Sequence, residues 1–333
     1  WYLADSFSRF LAYRKEERKP FFAQISFHNC HIPFIGLHEA KKACTKGETC
    51  TPPKYGEPPY SDKELDYYAC VTQLDNAVGR VLSALDDSGY YDNTMVWFTS
   101  DNGPEQNCLP TGVCQNADTN PHRPVEGPGS AGPLRGRKRD IYEGGHRVAG
   151  IVSYPVLVRE ETSLESWETV VTMDFLPTVM HLLGVDRPIE QQSWAMDGRS
   201  IVPLLKNKTL RWKDTKDGPR SIGIGYYDAA LALENGWGFR YGRWKFVEGS
   251  TSCTAEACRK PQLFDLETDI GERHDLSNKF PHILAHLQRK FKDWHDSVMH
   301  SRREESQCQK SQKLQLPLSI QKLVDGGSFT SPR

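Results

Sequence analysis

The sequence lacks an excess of charge of either sign, a long apolar run and any C-x-x-C pair, and each absence excludes something. Lys and Arg number 42 against 43 Asp and Glu, a formal charge of −1. Such a balance leaves no electrostatic footprint for nucleic acid or an anionic membrane. No apolar run approaches the roughly 18 to 20 residues of a membrane span. The opening WYLADSFSRFLAYRKEERK has no initiator Met and is amphipathic rather than the apolar core of a signal peptide, so the numbering is expected to begin inside a longer protein. Without C-x-x-C spacing, zinc is a weak reading of the cysteines.

Cysteine itself is plentiful, with nine in 333 residues. Six fall in close pairs, Cys44 with Cys50, Cys108 with Cys114 and Cys253 with Cys258, each in a loop rich in Gly, Pro or Thr. Short disulfide staples are expected there, and catalytic thiols are not. Cys30, Cys70 and Cys308 remain, so at least one is free or pairs with sequence beyond this chain. Asn207-Lys208-Thr209 is an N-glycosylation sequon. Together these features predict an oxidising compartment, with the protein in the secretory pathway in a lysosomal or extracellular setting.

The length suggests about two domains. In residues 63–87, Val71, Leu74, Val78, Val81, Leu82 and Leu85 recur at helical spacing, which predicts an amphipathic helix running into the apolar strand Met95-Val96-Trp97-Phe98. That strand reads as buried on both faces of a parallel sheet. Phe21 to Phe27 and Val148 to Tyr154 are further strand candidates, and Asp174-Phe175-Leu176-Pro177-Thr178 opens a short helix closed by Gly184. The rhythm predicts an α/β fold with a mainly parallel sheet flanked by helices. After about residue 217 the texture changes to short strands (Ser221 to Tyr226, Gly238 to Tyr241, Trp244 to Val247, Leu263 to Leu266) and a helix from Pro281 to about Met299. Residues 218–300 therefore predict a small α+β domain with an antiparallel sheet, and residues 301–333 a polar, disordered tail.

Three polar constellations stand out. Asp101 and Asn102 follow the apolar strand, at the carboxyl end where ligands sit in open α/β sheets, although Ser100-Asp101-Asn102-Gly103 also suits a plain turn. His28-Asn29-Cys30-His31-Ile32-Pro33 follows the Phe21 to Phe27 segment. Lys138 and Glu143 lie in the glycine-rich GPLRGRKRDIYEGGHRV. Taken singly, His31 also suits a loop histidine and Lys138 a solvated basic face.

In combination, Thr99 to Glu105, Lys138 four residues before Tyr142-Glu143-Gly144-Gly145, the His31-Ile32-Pro33 element, Met196-Asp197-Gly198 and the late Leu263-Phe264-Asp265-Leu266 resemble the sulfatase family, most like an arylsulfatase. The resemblance covers roughly residues 1 to 295 and implies an alkaline-phosphatase-like fold, with residues 1–217 the C-terminal portion of a catalytic domain. It implies one calcium ion held in part by Asp101 and Asn102, which supply the oxygen donors a hard cation takes. By the same resemblance Lys138 binds the sulfate, and His31 contacts it and protonates the departing oxygen; Glu143 reads as structural. The family's C-x-P-S-R nucleophile segment, whose Cys becomes formylglycine under a formylglycine-generating enzyme, is absent. The nearest lookalike, Cys50-Thr51-Pro52-Pro53-Lys54, lacks the Ser and Arg and comes after His31. The expectation is hydrolysis of a small-molecule or carbohydrate sulfate by the full-length protein, with this chain alone inactive. A phosphoesterase of the same superfamily and an inactive relative that binds sulfated glycans remain alternatives.

Overall fold

The computed structural model describes residues 2–17, 19–31, 62–105, 129–138, 140–158, 165–189, 196–207, 209–228, 233–249 and 260–311. The chain opens with α1 (Tyr2–Glu17), and α2 (Asp62–Asp87) packs along it. Ala4, Phe7 and Leu11 sit on one face of α1 and bury against Val81 and Leu85 of α2. Phe21 closes the cluster with edge-on contacts to Phe10 at 5.6 Å and Tyr90 at 5.2 Å. The stripe that α2 buries is Ala69, Cys70, Ala77, Val81 and Leu85, while Val71, Leu74 and Val78 are half-buried. Small residues at 69 and 77 keep that face shallow, which suits close approach of a neighbouring helix.

After α2 the chain forms β1 (Val96–Thr99), then the one-turn α3 (Glu143–His146) and β2 (Gly150–Ser153). β1 and β2 pair antiparallel, with Trp97 opposite Val152 and Phe98 opposite Ile151. The described sheets are both antiparallel, and the expected parallel sheet is not among the described residues. One expectation is corrected here: residues 21–27 form no strand. A strand is defined by its ladder partner, and this segment instead turns Phe21, Ile25 and Phe27 into the helical cluster. β1 is half-buried rather than covered on both faces.

Beyond β2, Asp174 is fully buried before α4 (Phe175–Leu183). Its Oδ2 accepts the Val171 N–H at 2.9 Å, and its Oδ1 accepts the Arg199 N–H at 2.7 Å and pairs with Arg220. Gly184, at φ 63°, ends the helix in the left-handed conformation that glycine allows. Next comes α5 (Val202–Lys206), which buries Leu204 with Ile201 and Trp212. Large apolar side chains remain exposed around this half: Phe22, Ile151, Leu176, Leu183 and Ile189.

The rest is a four-stranded antiparallel sheet, β3 (Ser221–Asp228), β4 (Leu233–Tyr241), β5 (Trp244–Glu248) and β6 (Gln262–Asp265), in that spatial order. The long α6 (Pro281–Ser311) covers one face, seating Leu287, Phe291 and Trp294 on Phe239, Phe246 and Leu263. α6 runs past residue 300 into the segment expected to be a disordered tail, because Arg, Glu, Gln and Lys there sustain a helix as readily as they solvate a coil. No described helix is long and apolar enough to cross a membrane.

Candidate active site

The tip of β1 and the glycine-rich loop are joined backbone to backbone. The Gly103 N–H donates to the Gly145 carbonyl at 2.9 Å, and the Lys138 N–H to the Pro104 carbonyl at 3.0 Å. The approach has no room for a side chain: a Cβ on Gly103 would lie 1.8 Å from the Gly144 carbonyl oxygen. This contact brings Asn102 and Lys138 to one cleft of about 410 Å³, whose wall also includes Asp140, Ile141, His146 and Ile224.

Asn102 donates its side-chain N–H to the Gly103 carbonyl at 2.8 Å, a bond that does not use the amide oxygen. Asp101 is exposed beside it, and its Oδ1 accepts the Asn102 backbone N–H at 2.9 Å. A carboxylate and an oriented amide oxygen suit a hard cation, yet calcium takes about 6 to 8 oxygens. These two residues fit part of such a site. Among the described residues no three His, Cys, Asp or Glu converge on a point, and His282 and His286, at H-x-x-x-H spacing on α6, instead lie against Phe280 and Tyr241.

Lys138 Nζ lies 3.1 Å from Glu105 Oε2 and 3.2 Å from His31 Nε2. An ammonium only donates, so in this arrangement His31 Nε2 is the acceptor. His31 stacks on His28 at 4.9 Å, and the turn is closed by the His31 N–H on the His28 carbonyl at 3.1 Å.

Behind the cleft is a buried charge cluster that spans the two halves of the chain. Lys245, on β5, is fully buried, with Nζ 2.9 Å from Glu143 Oε1, 2.9 Å from Glu272 Oε1 and 3.2 Å from His146 Nε2. The Glu143 and His146 contacts are well-directed hydrogen bonds, whereas the Glu272 Oε1 contact is off-axis and acts as an ion pair. Glu272 uses Oε2 to accept the Glu143 backbone N–H at 2.6 Å. Burial pushes the Glu143 carboxyl up, but Lys245, joined by His146 and Arg240, brings it down to about 2. Burial dominates at Glu272 and raises it to about 7 against the pull of Lys245. Burial and the Lys245 charge together lower His146 to about 4. His146 Nε2 also lies 3.3 Å from the Ile141 carbonyl oxygen, a contact that needs a proton on that nitrogen. The ammonium decides otherwise: Nε2 accepts from Lys245, and the ring proton sits on Nδ1.

Of the candidate residues, Asn102 and Lys138 line the cleft, His31 is bonded to Lys138, and Asp101 lies beside them at the strand tip. Asn207 is exposed, and its side-chain oxygen accepts both the Thr209 N–H at 3.0 Å and the Thr209 hydroxyl at 2.8 Å. Cys44, Cys50, Cys108, Cys114, Cys253 and Cys258, with the lookalike at Cys50 to Lys54, lie outside the described residues, as does the Cys308 side chain. Glu105, His146, Lys245 and Glu272 are site residues that the sequence reading assigns no role. Lys245 does carry a signal, being a lone charge inside the strand Trp244-Lys245-Phe246-Val247.

The family description "Sulfatase" matches residues 2–185, over half the chain. The chain belongs to the sulfatase family. A second family description, the C-terminal part of N-sulphoglucosamine sulphohydrolase, matches residues 136–297. A sulfatase of Formosa agariphila is 32% identical over 293 residues, covering 84% of this chain and 46% of the relative. Human arylsulfatase A is 27% identical, covering 84% and 49%. This sulfatase chain thus spans about half the length of the curated relatives it matches. Among solved structures, Ps i-CgsB in complex with k-i-k-neocarrahexaose superposes with a TM-score of 0.63 at 23% identity, covering 88% of this chain and 53% of that one. The phosphonate monoester hydrolase of Agrobacterium radiobacter superposes at 0.53 with 19% identity, covering 89% and 60%. Those likenesses establish the fold, that of the sulfatases.

Proposed function

We propose that the full-length protein hydrolyses an aryl or carbohydrate sulfate ester in a calcium-dependent reaction, with a formylglycine nucleophile supplied by sequence upstream of this chain. The observation that carries the reading is the meeting of Asn102 and Lys138 in one cleft with His31 bonded to Lys138. Asp101 and Asn102 would hold the calcium, which when bound offsets the charge of the sulfate. Lys138 places a compact positive charge on the sulfate oxygens as negative charge builds on them. In the resting arrangement His31 Nε2 accepts from Lys138. His31, beside Lys138, is the group that would donate a proton to the departing oxygen.

The isolated chain carries these binding groups without the attacking atom, so we propose that it is inactive by itself. The exposed apolar residues on β2 and α4 suit a face that further sequence covers. The exposed sequon at Asn207 suits a secretory, lysosomal or extracellular protein, and a formylglycine-generating enzyme would act on its precursor. The test is Asp101→Ala in the full-length protein, with calcium affinity by calorimetry and turnover of an aryl sulfate followed together. The expected outcome is calcium binding at least tenfold weaker, with hydrolysis lost. Unchanged calcium affinity would remove Asp101 from the metal site.

A further inference from the structure

We propose that Cys30 and Cys70 are joined by a disulfide bond in the mature protein, clamping the turn that carries His31 to α2. The two residues are far apart in sequence, yet the sulfurs lie near enough for each to perturb the other across the gap between that turn and the helix. The residue next to Cys30 reaches this sulfur directly, the Asn29 side-chain N–H lying 3.8 Å from Cys70 Sγ. Cys70 is buried and Cys30 half-buried. Tyr67, one turn earlier on α2, lies close enough to feel both sulfurs.

Two other roles for the pair fare worse. A metal site would need further ligands, and among the described residues no third His, Cys, Asp or Glu joins them. Two reduced thiols could serve as small apolar filler. Neighbouring thiols, in a chain with nine cysteines and an exposed glycosylation sequon, meet the conditions under which disulfides form and persist.

The chemistry is a thiol–disulfide exchange. Either sulfur can open the exchange, Cys70 for instance. Its thiolate displaces one thiolate from an external disulfide, oxidised glutathione or an exchange catalyst, giving a mixed disulfide. Cys30 then attacks the Cys70 sulfur and expels the second external thiolate. The protein loses two hydrogens and two electrons, and the external disulfide is reduced to two thiols. Because Cys70 ends buried, the exchange belongs to folding, before the turn closes over α2.

The experiment is a non-reducing peptide map of full-length protein recovered from secreting cells, with free thiols blocked at lysis. The expected result is a Cys30 peptide linked to a Cys70 peptide, lighter than the two free peptides by two hydrogens. Recovery of both cysteines in blocked form would overturn the proposal. A second measurement addresses the clamp: reduction should speed amide exchange in residues 28–31 by at least tenfold, and no change there would refute it. Cys30→Ser, Cys70→Ser and the double variant should each melt lower by about 5 °C, because any one change removes the whole cross-link. Additive losses would mean that the two thiols act independently, against the bond. If the variants do not fold, the peptide map of the unaltered protein still decides.

Discussion

Replacing Lys245 by Met would preserve much of its volume and delete the charge that Glu143 and Glu272 share. Glu272 would then be left buried without its cation, and Glu143 with only Arg147 at 3.3 Å and Arg240 at 3.9 Å, so Lys245→Met is expected to cost about 3–5 kcal/mol of unfolding free energy in urea titrations. The loss should be smaller at pH 5.5 than at pH 8, because Glu272, already raised to about 7, takes up a proton below that value. His146 gives a second pH signature. Its folded pKa of about 4 lies below the ordinary 6.5, so the stability it contributes is present above pH 6.5 and is lost as pH falls towards 4. His146→Asn should flatten that limb of the melting profile by roughly 1–2 kcal/mol, after discounting for its partial exposure. At this scale the sequence was legible where function sits on short local patterns: Asp101 and Asn102 end an apolar strand, and Lys138 precedes Tyr-Glu-Gly-Gly. The pairing of Lys245 and Glu272 was not legible, although Lys245 stands out as a lone charge in an apolar strand, because their partner Glu143 lies more than a hundred residues earlier in the chain.

Among the elements, the seat of α6 on the sheet depends on an absent side chain. A Cβ on Gly223 of β3 would come within 2.1 Å of the Trp294 indole, which in turn makes an edge contact with Trp237 at 6.1 Å. Gly223→Ala should push Trp294 off its seat, with a loss of about 1–3 kcal/mol and a blue or red shift in tryptophan emission. Retention of both the emission spectrum and the melting temperature would show that α6 docks without this contact. α2, α4 and α6 were readable from apolar spacing and from Gly184, because a helix satisfies its backbone within its own segment. The strands after residue 217 were readable for a similar reason, since short connections pair neighbours in sequence. The pairing of β1 was not, because strand direction depends on neighbours that local pattern does not contain; β1 finds β2, antiparallel, across some fifty residues.

At the scale of the whole molecule, the glycine-rich loop belongs to the C-terminal sheet as much as to the strand it follows. Ile141 and Tyr142 bury among Val247, Phe264 and Leu266. The Tyr142 hydroxyl donates to Gln262 Oε1 at 2.6 Å, and Arg135 donates to the Glu272 carbonyl at 3.1 Å. The loop that positions Lys138 should therefore open together with β5 and β6. Native-state hydrogen exchange is expected to give residues 141–145 and 244–247 the same opening free energy and the same denaturant dependence; a loop that exchanges much earlier would separate the two. The burial of Lys245 has a practical side as well. An amine-acylating reagent finds the surface lysines at once, but it reaches the Lys245 ammonium only in molecules whose halves have parted. The slow appearance of that one modified peptide would therefore act as a clock for the separation, readable in unlabelled protein without any engineered probe.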